Sequence, residues 1–174
     1  MLSGNKIRLR PFEKSDLEKC KQWINDPEIA TAVKRVLPVS MYEHVNWYEK
    51  IIVDKARVTF ALETIENNQY IGNLGIEHID WISRKARFWI YLDKAQWAKG
   101  YGTEAVALLL NYSFNSLNLN KIYLDVGSFN NRAIKVYETM GFATEGILRE
   151  DFYMNGSYVD VLRMAILKRD FSTQ

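Results

Sequence analysis

The feature that most constrains the fold is the order in which strand-like and helix-like patterns follow one another. Alternating or β-branched and aromatic runs predict strands at seven places. They cover Ile7–Arg10, Val58–Glu63, Tyr70–His78, Ala86–Leu92, Lys121–Val126, Ala143–Tyr153 and Tyr158–Lys168. The last two strands flank Asn155-Gly156, a dipeptide that is typical of tight hairpin turns.

Helices are predicted between these strands. One begins after Ser15-Asp16 and stops at residues 25–27, and a second begins at Ser40, whose spacing from Glu43 is that of a capping box. Two more cover Gly102–Leu117 and Asn130–Met140. The order β-α-α-β-β-β-α-β-α-β-β predicts one α/β (α+β) domain over residues 1–174, with a mixed sheet and helices packed on it.

Composition excludes several classes of protein. With 174 residues, 48% hydrophobic and 25% charged, the chain has the composition of a globular domain rather than a disordered one. A net charge of +2 without a basic region predicts no nucleic-acid partner. Short apolar runs and an N-terminus without a hydrophobic leader predict a cytoplasmic protein that makes no membrane contact. Two histidines and one cysteine predict no metal site, and Cys20 is expected to be buried and unreactive.

A glycine-containing loop lies between the strand that ends at Leu92 and the helix that begins near Thr103. Gly100 and Gly102 allow unusual backbone angles and the close approach of a ligand. The N–H groups of the first helical turn attract anions. The loop therefore predicts a diphosphate site or, alternatively, a tight connection between strand and helix. It lacks the glycine patterns of P-loop NTPases and dinucleotide-binding folds, which disfavours both classes.

Two motifs together resemble those of the GNAT N-acetyltransferases. The loop Gln96–Thr103 resembles the family's acetyl-CoA pyrophosphate motif, and Asn130–Phe142 resembles its N-x-x-A-x-x-x-Y-x-x-x-G-F motif. The resemblance extends over nearly the whole chain and is closest to the ribosomal-protein alanine, spermidine and amino-sugar N-acetyltransferases. It implies a mostly antiparallel twisted sheet with helices on both faces. It also implies transfer of acetyl from acetyl-CoA to a primary amine by direct attack in a ternary complex.

The resemblance also implies roles for individual residues. Tyr137 would be the general acid that protonates the departing thiolate, which suits a phenol with an ordinary pKa of about 10. The alternative is that Tyr137 only packs against its neighbours. Cofactor contacts are implied for the end of the strand, the loop and the second motif: Tyr91, Leu92, Trp97, Ala98, Lys99, Gly100, Tyr101, Gly102, Thr103, Asn130 and Ala133.

Two positions depart from the family pattern. Trp97 stands where the loop motif has Gln or Arg, which predicts a stacking contact with the cofactor, and Arg87 stands where this branch often has Glu. Without a carboxylate there, an amine of pKa about 10.4 costs about 4.6 kcal/mol to deprotonate at pH 7, whereas one of pKa about 7.8 costs about 1 kcal/mol. We therefore expect a peptide α-amine or an amino-sugar amine as acceptor rather than a polyamine, with Glu77 as base through water.

A second function is compatible with the sequence. The two departures weakly favour a catalytically silent acyl-CoA-binding sensor or scaffold, and Tyr137 disfavours it. The partners expected are a small-molecule or peptide amine and, as one possibility, a second copy of the chain. Aromatic residues that could be either core or dimer-interface residues are Trp81, Trp89, Tyr153 and Tyr158.

Overall fold

A computed structural model describes residues 1–171, and an eight-stranded sheet runs through them. Its strands are β1 (Leu2–Ser3), β2 (Ile7–Pro11), β3 (Val58–Thr64), β4 (Tyr70–Asp80), β5 (Lys85–Leu92), β6 (Lys121–Gly127), β7 (Ala143–Met154) and β8 (Ser157–Leu167). Their order in the sheet is β1-β2-β3-β4-β5-β6-β8-β7, and neighbours are antiparallel except for β5 and β6. The predicted mixed, mostly antiparallel sheet is confirmed.

Five α-helices accompany the sheet: α1 (Leu17–Ile24), α2 (Pro27–Ala32), α3 (Met41–Ile51), α4 (Tyr101–Asn111) and α5 (Asn131–Thr139). The sequence analysis did not predict β1 or α2. The first helix does end before residues 25–27, as predicted, but a second helix, α2, begins there. The Asp26 side chain accepts hydrogen bonds from two backbone N–H groups in the first turn of α2, and Pro27 has no N–H group that would need an acceptor. The helix predicted over Gly102–Leu117 is α4 followed by a wider π-helical turn over Tyr112–Ser116.

The helices pack on both faces of the sheet because successive strand residues face opposite ways. Leu62 belongs to a large core on the face covered by α4 and α5. Its neighbour Ala61 belongs to a smaller core on the face covered by α1 to α3. Helices on both faces, as predicted, are confirmed.

The one parallel pair of the described sheet separates after three residues. Residues Lys85–Arg87 of β5 pair with Lys121–Tyr123 of β6. Beyond that point β5 continues to pair only with β4 as far as Leu92, and β6 only with β8 as far as Gly127. The two strands therefore form a fork, and the gap between its arms is the groove described below.

Candidate functional site

The groove between β5 and β6 brings the two sequence motifs together. One wall is β5, the loop after it and the start of α4; the other is β6 and the start of α5, and the enclosed volume is about 260 Å³. Tyr137 and the implied cofactor residues line it, apart from Lys99. Glu77 is also absent from the lining.

The loop presents backbone donors to the groove. Gly100 immediately precedes α4 with φ +85°, and Ala98 also has a positive φ of 62°. This turn leaves the N–H groups of Tyr101, Gly102 and Thr103 without a carbonyl one turn back in the helix, at the positive end of its dipole. These N–H donors form a short row, and residues 98–103 include no acidic side chain, so the loop fits the diphosphate of acetyl-CoA. Gln96, which sequence reasoning placed one position too early in the motif, is buried, lines the groove and accepts from Lys99 Nζ at 3.0 Å.

Trp97 and Arg132 meet across the opening of the groove. The Trp97 indole Nε1 donates to the Leu92 carbonyl oxygen at 3.1 Å, which fixes the ring against the end of β5. The Arg132 guanidinium carbon lies 3.7 Å from the centroid of that indole ring. Stacking of Trp97 on the cofactor stays a prediction; in this structure its ring faces the guanidinium of Arg132.

Tyr137 lies on α5 and faces the groove. Its ring makes edge-on contacts with Phe88 and a tilted contact with Phe142, at centroid distances of 6.0 and 5.7 Å. Burial raises the pKa of the Tyr137 phenol above its ordinary value, so the hydroxyl keeps its proton at neutral pH. The residue therefore both packs and reaches the groove. Asn130 caps α5, because its Oδ1 accepts from the Ala133 N–H at 3.2 Å.

Tyr91 contributes to the groove through its place on β5, while its hydroxyl points into a buried polar cluster. The hydroxyl oxygen lies 2.7 Å from Cys20 Sγ and 2.7 Å from Asn73 Nδ2. Burial raises the pKa of the Cys20 thiol to about 12. Cys20 is therefore buried and protonated, as expected, although it adjoins a strand that lines the groove.

A network of ion pairs crosses the sheet where β5 and β6 separate. Arg87 Nη1 donates to Glu77 Oε1 at 2.8 Å, and Glu77 also pairs with Arg57. Arg87 Nε lies 3.6 Å from Asp125 Oδ2, and Arg163 donates to both Asp125 oxygens at 2.9 and 3.0 Å. Burial opposes ionisation of Asp125, but Arg163 and Arg87 outweigh it and lower the pKa of its carboxyl group. Arg87 and Asp125 line the groove, so Glu77 stands behind Arg87.

Sequence reasoning missed four residues of the site: Lys34, Asp125, Arg132 and Arg163. Lys34 follows α2 with φ +57°, is half-buried and lines the groove beside Arg87 and Asp125. Burial lowers the pKa of its ammonium group, although Asp125 opposes this effect. Only Asp125 carried a usable signal, since it is a charged residue among the β-formers of a predicted strand. Lys34 lies in an unpatterned segment, and Arg132 occupies a variable position of the second motif.

Membrane spans and metal sites each have simple structural requirements, and residues 1–171 meet neither set. No helix there combines the length and apolar composition that a membrane crossing requires. No three side chains of His, Cys, Asp or Glu cluster in that range as metal ligands would.

Comparison with known proteins gives consistent matches. The family described as acetyltransferase (GNAT) domain matches residues 6–143. Spermidine N(1)-acetyltransferase of Escherichia coli K12 is 31% identical over 98% of this chain and 91% of its own. Spermidine N-acetyltransferase of Vibrio cholerae, solved with CoA and spermine, is 35% identical, with a TM-score of 0.90 over 94% of this chain and 96% of its own. A dodecameric structure of the Vibrio protein superposes with a TM-score of 0.82 over 93% and 94% of the two chains.

Proposed function

The chain belongs to the acetyltransferase (GNAT) family and is an acetyl-CoA-dependent N-acetyltransferase, and we propose that its acceptor is a polyamine of the spermidine class. The observation that carries this proposal is the similarity, over nearly the whole chain, to spermidine N-acetyltransferases. It replaces the sequence-based preference for a peptide α-amine or an amino-sugar amine.

The sequence-based argument against a polyamine, which rests on Arg87 standing in place of a carboxylate, is weaker in the folded protein. That argument treated Arg87 as an isolated cation in place of a carboxylate. In the structure its guanidinium is paired with Glu77 and lies near Asp125, so two carboxylates stand at the same place. Paired charges of this kind present a much smaller field to an approaching cation than a lone guanidinium does.

The donor end of the groove supports binding of acetyl-CoA, which supplies an acetyl group activated as a thioester. The N–H groups of the loop residues 98–103 and the α4 dipole would hold its diphosphate. Beyond Arg87, the edge of β5 that faces the groove forms no hydrogen bonds with β6. The backbone along this edge can therefore pair with the extended pantetheine arm, as it would with an added strand. An N–H of that edge near Tyr91 would stabilise developing charge on an oxygen.

Two residues at the fork would move protons. Tyr137 keeps its hydroxyl proton and would hydrogen-bond the sulfur as negative charge develops there, then protonate the leaving thiolate. The proton that the amine gives up would restore the phenol. Glu77 remains the predicted base. Asp125 is the alternative that the structure adds, because it lines the groove whereas Glu77 stands behind Arg87.

A second candidate acceptor is an amine that also carries a negative charge, such as an amino-sugar nucleotide. The observation in its favour is that both carboxylates where β5 and β6 separate, Glu77 and Asp125, are paired with guanidinium groups. The half-buried Lys34 lines the same groove. A polycation would find no unpaired carboxylate at the fork, whereas a phosphate would find an ammonium group.

Thiol release from acetyl-CoA against an acceptor panel tests the proposal. The panel holds spermidine, a peptide with an N-terminal alanine and a 4-amino-sugar nucleotide, and Tyr137→Phe serves as the control for chemistry. The proposal predicts the highest kcat/KM with spermidine. Release only with the nucleotide, reduced by Lys34→Ala, would replace spermidine with the second candidate. Silence with every amine, while calorimetry shows acetyl-CoA binding, would favour the sensor alternative.

We also propose that the chain self-associates and acts in the cytoplasm. Trp81, Tyr153 and Tyr158 are 52%, 54% and 66% exposed, which is unusual for large aromatic side chains. Trp89 instead stacks on Tyr91 within the sheet face and is a less suitable interface residue. Analytical ultracentrifugation of the wild type and of Tyr153→Ser tests the proposal, which predicts a larger species that the substitution weakens. A monomer at all concentrations would contradict it.

A further inference from the structure

We infer that Arg132 and Trp97 form a clamp over the groove, in which Arg132 binds a phosphate group of acetyl-CoA. The inference rests on the use of acetyl-CoA and not on the identity of the acceptor. It assigns a cofactor-binding role to Arg132, which neither the loop motif nor the fixed positions of the second motif contain.

The two residues stand on opposite walls of the groove. Trp97 belongs to the loop after β5, and Arg132 lies in the first turn of α5; both line the groove. The distance of 3.7 Å from guanidinium carbon to ring centroid shows that the two walls are in contact through these side chains. The indole is held in place by its hydrogen bond to Leu92, so the Arg132 side chain is the part able to move.

The chemistry of the contact leaves Arg132 ready to bind an anion. Stacking on an indole uses the flat face of the guanidinium and leaves its N–H edge available for two parallel hydrogen bonds to phosphate oxygens. Arg132 lines the same groove as the loop residues around Gly100. Lys99, the other cation near the loop, is tethered to Gln96 and is not on the lining.

The clamp also gives a reason for the departure at Trp97. The loop motif has Gln or Arg at this position, whose side chain can reach a phosphate, and an indole cannot replace it in that role because it has a single N–H donor. Here that N–H is committed to Leu92. The ring instead serves as a platform that positions a guanidinium arriving from the opposite wall.

Calorimetric titration with three ligands tests the inference: CoA, 3′-dephospho-CoA and pantetheine. We expect Arg132→Ala to weaken CoA binding about tenfold, in line with the loss of a charge-assisted contact, and to leave pantetheine binding unchanged. The matched control is Lys135→Ala, an exposed cation one turn further along α5, for which we expect less than a twofold change. If the tenfold loss persists with 3′-dephospho-CoA, Arg132 binds the diphosphate; if it disappears, Arg132 binds the 3′-phosphate.

The platform is tested separately at Trp97. Trp97→Phe keeps an aromatic face and should cost about twofold in CoA affinity, whereas Trp97→Leu removes it and should cost about fivefold. Arg132 is exposed on a helix surface, so Arg132→Ala is expected to fold normally, which thermal melting checks. Equal CoA affinity of Arg132→Ala and the wild type overturns the clamp alone. Failure of the wild type to bind CoA would instead overturn the cofactor site itself.

Discussion

The two ends of the groove are built from different materials. The end proposed to bind acetyl-CoA, called the cofactor end, consists mainly of backbone. It comprises Gly100 with φ +85°, the start of α4 and the edge of β5 that no longer pairs with β6. The end proposed to bind the amine, called the acceptor end, consists of side chains from four strands and a loop: Glu77, Arg87, Asp125, Arg163 and Lys34.

This difference separates what is fixed in the molecule from what can be changed. Backbone N–H groups carry no titratable charge and are unchanged by most side-chain substitutions. The same loop can therefore bind one cofactor in many proteins of differing sequence. The acceptor end depends on the balance of charge between three cations and two carboxylates, so a single substitution can change the acceptor preferred. The predictions below test this contrast, beginning where the two ends meet.

Tyr137→Phe should produce the largest effect, because Tyr137 lines the groove and is the proposed general acid. Removal of the hydroxyl proton donor is expected to lower kcat about 100-fold, while the Kd for acetyl-CoA stays within about twofold. Steady-state kinetics and calorimetry give both values. Tyr112→Phe is the control, since that ring packs edge-on against Phe60 and is not on the groove lining. Normal kcat in Tyr137→Phe would reduce Tyr137 to a packing residue.

Gly100→Ala should damage the cofactor end specifically. A side chain at φ +85° forces the backbone out of its conformation at a cost of about 1–2 kcal/mol, and we expect the Kd for acetyl-CoA to rise about tenfold. Gly156→Ala is a matched control, because Gly156 has φ +83° in the β7–β8 turn with open space around it. Both variants should lose similar stability in thermal melts, and only Gly100→Ala should lose cofactor affinity. Equal cofactor affinity in the two variants would show that the loop is only a connection.

Arg87→Gln should change acceptor affinity without affecting the cofactor. Loss of the guanidinium removes one of the cations that neutralise Glu77 and Asp125, while Arg57 and Arg163 remain. The KM for spermidine is therefore expected to fall about fivefold, equivalent to about 1 kcal/mol. For an anionic acceptor the KM should rise. Lys85→Gln, on the same strand but exposed, removes the same charge as a control. A parallel change in the Kd for acetyl-CoA would contradict the separation of the two ends.

The smallest expected effect concerns pH. The pKa of Asp125 is lower in the folded protein than its ordinary value of 3.8, so the folded state favours the ionised form. Its contribution to stability is therefore complete above about pH 4–5 and is lost as pH falls through the folded pKa. Asp125→Asn should lower Tm by about 4–8 °C at pH 7, for a loss of about 2 kcal/mol, and by less at pH 3. A constant difference between the two melts at every pH would remove this ion pair from the account.

The same contrast explains which parts of the site could be predicted from the sequence. Residues 96–103 are contiguous, and their spacing specifies a turn and a helix start, so the loop was found and the family resemblance was confirmed by comparison. The capping box at Ser40 and the Asn155-Gly156 turn were predictable for the same local reason.

The contacts at the acceptor end could not be predicted from local sequence. Arg163 and Asp125 are 38 positions apart and meet only because β6 pairs with β8. Arg87 was identified, but its pairing with Glu77 and Asp125 was not, so the sequence-based argument treated a paired guanidinium as an isolated cation. Helix α2 was missed because Pro27 both ends one helix and starts the next.

Amide hydrogen exchange with and without acetyl-CoA is the measurement that tests the central claim most directly, since it reports on the backbone N–H groups themselves. The account predicts slower exchange on binding at residues 98–103 and along the edge of β5 that no longer pairs with β6, over residues 88–92. It predicts no change in the β7–β8 hairpin over residues 150–158. Binding of acetyl-CoA without protection of residues 98–103 would contradict the claim that this backbone holds the cofactor.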